Sequence, residues 1–133
     1  FQTMARLVGR RSTCPRARVG AVIVKDGRVI SIGYVGSPSG MPHCTEVGCD
    51  IDEARGGCIR TVHAEANAIA FAAKSGIEVA GSTIYCTHLP CIDCAKLILN
   101  AGIREVVYQH PYRDERGLDL FLRSGRVKVR VSS

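Results

Sequence analysis

No stretch of this chain approaches the roughly 20 consecutive apolar residues that a membrane-spanning helix needs, so that class is excluded. Internal repeats and low-complexity tracts are also missing, which sets repeat architectures aside. No secretory signal is visible. The first residue is Phe1 rather than Met, so a native start further upstream is expected, and any targeting element would lie there. Residues 1–25 lack acid altogether: Arg6, Arg10, Arg11, Arg16, Arg18 and Lys25 account for the whole net charge of +6, because the remainder balances. A basic N-terminal region suits a phosphate-bearing partner, nucleotide or nucleic acid, or else a solvated helix face with a flexible arm.

What is present fits one domain spanning 1–133, long enough for a single core. Hydrophobic residues at 46% and charged residues at 23% are ordinary for a globular chain. Seven cysteines are many, and the odd number argues against a complete disulfide framework. Clustered cysteines without a secretion signal point to metal binding or catalysis, and to a cytoplasmic location.

The hydrophobic pattern predicts the tail of a helix at 4–11, then a hairpin of strands 19–25 and 28–34 around Asp26-Gly27, a favoured tight-turn pair. Residues 35–60 are rich in glycine, with two prolines and three cysteines, and read as a long loop that a metal or a binding site must justify. Helices are predicted at 62–74, 91–102 and 115–124, and strands at 82–88, 104–109 and 126–131. That alternation implies a three-layer α/β/α domain with a mixed sheet of about five strands.

Two stretches carry chemistry. In "TVHAEANAIAFAA", His63 and Glu65 stand two apart, about 200° around a helix, so they can serve one target only if the helix begins there. In "HLPCIDCAK", Cys91 and Cys94 share one face of a helix start, where the macrodipole favours thiolates, and Pro90 suits such a start. Alone, Cys-x-x-Cys reads equally as a redox pair or as half of a zinc site. With His63 it makes a three-ligand zinc site with an open fourth position, the catalytic arrangement. Glu65 then lies near the metal without binding it and serves as general acid/base, with hydroxide from the zinc-bound water as nucleophile. The backbone N–H of Ala64, at the helix start, is a candidate donor to a substrate carbonyl.

His63-Ala64-Glu65…Pro90-Cys91-Ile92-Asp93-Cys94 matches the zinc deaminase signature. Together with "RVGAVIVKDGRVISIGY", "GSPSG", "HAEANAI" and "PCIDCAKLILNAGIREVVY", it makes residues 4–131 resemble the deoxycytidylate (dCMP) deaminase family, including its late-competence branch. Leu89 before Pro90 departs from the Glu-Pro-Cys usual in tRNA adenosine deaminases and riboflavin-pathway deaminases. The resemblance implies a cytidine-deaminase-like fold and hydrolytic conversion of dCMP to dUMP. It also implies a homo-oligomer, hexamer or dimer, and regulation by dCTP and dTTP with Mg(2+). For the substrate it points to Ser37, Tyr112 and Arg113, and for an effector to Asn67 and Lys74.

Val35 stands where the family usually has an asparagine expected to bond the substrate. A lost polar contact of this kind costs a few kcal/mol in discrimination, so either the packing is neutral or another cytosine nucleotide, dCTP or a 5-modified dCMP, is preferred. Some family members hold a second, structural zinc at the positions of Cys14 and Cys44. Cys49 and Cys58 would complete four thiolates, with His43 as a rival ligand and free thiols as the alternative. Cys86, in a strand, reads as a small buried apolar residue. Two rivals remain: a nucleic-acid or tRNA deaminase, motivated by the arginines, and a catalytically idle, competence-associated nucleotide-binding protein. Intact His63, Glu65, Cys91 and Cys94 weigh against the second.

Overall fold

A computed structural model describes residues 1–132. Helix α1 (Gln2–Gly9) precedes the hairpin β1 (Gly20–Lys25) and β2 (Arg28–Tyr34). Both turn residues have positive φ, Asp26 at 52° and Gly27 at 74°, as a tight hairpin turn requires. Then follow α2 (Cys44–Val47), the two-residue strands β3 (Ile51–Asp52) and β4 (Gly57–Cys58), α3 (Ala64–Lys74), β5 (Thr83–His88), α4 (Ile92–Asn100), β6 (Glu105–His110), α5 (Arg116–Ser124) and β7 (Lys128–Val131).

The main sheet runs β2-β1-β5-β6-β7. β1 pairs antiparallel with β2 and β5, while β5–β6 and β6–β7 are parallel and joined through α4 and α5. Alternation along β1 separates two cores. Val22 and Val24 pack with Ala5 of α1, and Ala21 and Ile23 pack with Ala64, Ala68, Ala95 and Phe121 of the other helices. The result is the expected α/β/α arrangement, with α1 on one face and α3, α4 and α5 on the other.

Close approach explains where the helices sit. Ala64, Ala68 and Ala72 form a buried stripe on α3 at i, i+4 and i+8. That stripe lies on β2 at Gly33, where an added Cβ would meet the Ala64 carbonyl and come within 2.5 Å of the Ala68 nitrogen. Ser31 Oγ donates to the Ala68 carbonyl at 2.7 Å, fixing the register of helix on strand.

The loop expected over 35–60 is not structureless. It holds α2, whose start is closed by a reciprocal capping box between His43 and Glu46, and the small β3–β4 ladder. Elements this short carry no readable periodicity. The whole excursion leaves and returns through one bridge, Gly36 with Val62, closed by backbone bonds of 3.4 and 2.8 Å. The other correction is at the helix starts: α3 begins at Ala64 rather than 62, and α4 at Ile92 rather than 91, because His63 and Cys91 are extended N-cap residues.

Candidate active site

One edge of the sheet gathers the ends of β2, β5 and β6 and the start of β1, and a cleft of about 730 Å³ opens there. Its inner end is formed by the first turns of α3 and α4. Pro90 and Cys91 are held from behind by α5, whose Gly117 approaches so closely that a Cβ would lie 2.5 Å from the Pro90 carbonyl.

His63, Cys91 and Cys94 converge there, with all three ligand atoms within 4.8 Å of one another. The His63 Nδ1 lies 3.4 Å from Cys91 Sγ and 3.5 Å from Cys94 Sγ. A tetrahedral zinc with ordinary Zn–N and Zn–S bonds sets its nitrogen and sulfur ligands about 3.6 Å apart, so this donor set fits the metal. The thiol of Cys94 and then the His63 ring favour the Cys91 thiolate, pulling it down to about 4. Cys94 is pushed up by the same hydrogen bond and by burial, and the Cys91 contact raises His63.

Glu65, two residues on, is buried at 4% exposure yet lines the cleft. Burial raises its carboxyl above the usual carboxylate range, against the opposing pull of the Cys94 hydrogen bond and the His63 charge. A buried carboxyl raised in this way is suited to exchanging a proton with a bound substrate. Ala64 lines the cleft between them.

The other expected residues divide. Val35 is buried in the cleft wall, and Tyr112 and Arg113 lie on its rim. Ser37 is half-buried outside the cleft lining, and its hydroxyl has no hydrogen-bond partner among the described residues. Asn67 is also outside; its amide donates to the Tyr34 carbonyl at 2.8 Å and so ties α3 to the end of β2. Lys74 is exposed at the far end of α3.

A second cluster joins Cys14, Cys44, Cys49 and Cys58, again within 4.8 Å. Cys14–Cys49 and Cys44–Cys58 are each 3.7 Å apart, close to the roughly 3.8 Å edge of a tetrahedral four-thiolate zinc. Cys44 is pushed up to about 12, first by burial and then by its thiol neighbours. His43 is engaged elsewhere, with Nδ1 2.9 Å from Thr13 Oγ1. Cys86 is fully buried in the core, as expected.

Arg55, His88 and Arg116 also stand on the cleft wall, beyond the residues expected from sequence. Arg55 sits in the turn of a hairpin too short to be legible. His88, at the end of β5 three residues before Cys91, had a signal in the strand prediction itself.

Residues 1–110 match the family model described as the cytidine and deoxycytidylate deaminase zinc-binding region. The chain is 47% identical over 120 residues to ComE operon protein 2 of Bacillus subtilis, covering 86% of this chain and 62% of that protein. It is 34% identical over 163 residues to the deoxycytidylate deaminase of Enterobacteria phage T4, covering 95% and 84%. Among solved structures, it resembles the dCMP deaminase of cyanophage S-TIM5 in complex with dCMP and dUMP. There the TM-score is 0.85 at 36% identity, covering 98% of this chain and 93% of that one.

Proposed function

The chain belongs to the dCMP deaminase-like family within the cytidine deaminase superfamily, and from that premise we propose that it is a hydrolytic deaminase converting dCMP to dUMP. The observation that carries this reading is the meeting of His63, Glu65, Cys91 and Cys94 at two helix starts on one cleft. His63, Cys91 and Cys94 would hold the zinc. When bound, the metal acidifies a water and so supplies the nucleophile near neutral pH.

Glu65 moves the protons. It delivers one to the ring nitrogen beside the amine-bearing carbon and one to the departing amino group, which leaves as ammonia while water oxygen becomes the new carbonyl. Its burial keeps bulk water from competing for that proton. The Ala64 N–H, on the first turn of α3, orients the pyrimidine carbonyl, and Tyr112 and Arg113 face the phosphate end.

An ultraviolet assay of dCMP deamination tests the reading. Glu65→Gln should lower turnover by about 10²- to 10⁴-fold while zinc content stays at the wild-type level. A variant that loses the metal instead would overturn the role given to Glu65.

Val35 favours one secondary reading, because an apolar side chain occupies the cleft wall where a polar partner for the nucleotide is usual. Turnover on dCTP or a 5-substituted dCMP but not on dCMP would select it. We assign a second, structural zinc to the four-cysteine cluster. From the family resemblance we further propose a homo-oligomer regulated by dCTP and dTTP with Mg(2+), tested by light scattering and by assays with those nucleotides.

A further inference from the structure

Five arginines stand on the cleft wall: Arg16, Arg18, Arg55, Arg113 and Arg116. Arg116 is bound to Asp114 at 2.6 Å, whereas the other four form no ion pair among the described residues. Four unpaired guanidiniums on the wall of one cleft outnumber its acids Glu65, Asp93 and Asp114, the last already held by Arg116, and their planar donor forks suit phosphate.

Arg55 owes its place to the β3–β4 hairpin. The ladder has only two residue pairs, Ile51 with Cys58 and Asp52 with Gly57. An isolated ladder of that size does not stand by itself in water. Apolar packing does not hold it either: Ile51 and Ile59 are 44% and 48% exposed. What fastens it is sulfur. Cys58 Sγ accepts the Asp50 N–H at 3.3 Å and touches Cys44, and Cys49 at the hairpin's base touches Cys14. Cys14 is buried two residues before Arg16. One cluster therefore anchors both the hairpin that carries Arg55 and the segment that carries Arg16 and Arg18. Arg113 reaches the same hairpin at the Gly56 carbonyl, 3.5 Å away.

We propose that the β3–β4 hairpin is the element that selects a phosphorylated nucleotide, with Arg55 gripping the phosphate opposite Arg16 and Arg18, and that the Cys14/Cys44/Cys49/Cys58 cluster sets this selectivity by holding the hairpin on the cleft. The inference rests on the nucleotide deaminase reading above and deepens it. The hairpin contributes nothing to the proton transfers, so its loss weakens recognition of the anionic end and not of the base.

The test is calorimetric binding of dUMP and of deoxyuridine to the zinc-loaded full chain. The wild type should prefer dUMP, and Arg55→Ala should shrink the dUMP/deoxyuridine affinity ratio about tenfold, the scale of one lost charge-assisted contact. Cys49→Ser, which frees the hairpin and loosens the segment of Arg16 and Arg18, should shrink it at least as much, and adding Arg55→Ala to it should cost little more, because the released hairpin has already lost the Arg55 contact. An unchanged ratio in Arg55→Ala, or losses that multiply in the double variant, would overturn the inference. Hydrogen exchange on the wild type covers the case in which Cys49→Ser does not fold. Protection of residues 50–59 should rise with dUMP and not with deoxyuridine, and equal protection by both would also overturn it. A wild type that binds neither compound would instead sink the nucleotide reading itself.

Discussion

His88 ends β5 directly opposite His110 of β6, with ring centroids 5.1 Å apart, and its Nδ1 lies 2.9 Å from the Thr87 hydroxyl. Burial, and then the neighbouring His110, hold His88 below the usual histidine range. The folded chain thus prefers neutral His88. Its contribution to stability is complete above about pH 6.5, the unfolded value, and is lost as the pH falls below it toward the folded pKa. Replacing His110 with Gln removes the second cause and narrows that window. Thermal melts from about pH 7.5 down to about pH 5.5 should show a smaller loss of stability in His110→Gln than in the wild type. A larger loss in the variant would contradict this account. Among the residues expected from sequence, the gathering of His63, Cys91 and Cys94 beside Glu65 was legible, because their types and spacing place them at two facing helix starts. Arg55 was not, since nothing in a lone arginine beside two glycines says which surface it faces.

The elements show the same division. The β1–β2 hairpin could be read because Asp26-Gly27 and the flanking β-branched residues agree locally. The start of α3 was set too early because an extended N-cap looks like helix when only apolar periodicity is counted. α2 and the β3–β4 ladder are hidden by their brevity, and their one sequence signal is His43 and Glu46 at capping-box spacing. Two close approaches position the starts of α3 and α4. Gly33→Ala would drive a methyl group into the first turns of α3, and Gly117→Ala would drive one into Pro90 and Cys91. Each should destabilise by about 1–3 kcal/mol, the usual cost of overpacking. Gly117→Ala should in addition weaken zinc retention, read by competition with a chelator, because it displaces the Cys91 backbone. Retention equal to the wild type would show that α5 does not hold that ligand.

Across the whole molecule, the acid-free first 25 residues turn out to do two different things. Arg6 and Arg10 belong to α1 and its C-cap, away from the cleft, while Arg16 and Arg18 open onto it. Charge counting alone could not separate them, since the distinction depends on where Cys14 is tethered. Metal analysis should find two zinc ions per chain and one in Cys49→Ser, with the melting temperature lowered by on the order of 5 °C or more in the variant. One zinc in the wild type would reject the second site.

The neck at Gly36 and Val62 has a consequence for engineering. Because residues 37–61 depart and rejoin side by side, the ends of any replacement segment are already close, and doubling its length adds only about 0.6 kcal/mol of closure entropy. The excursion is thus a cassette. On the phosphate-selecting role proposed for its hairpin, exchanging it between relatives should carry that selectivity along, provided that Cys44, Cys49 and Cys58 travel with it to meet the Cys14 left behind.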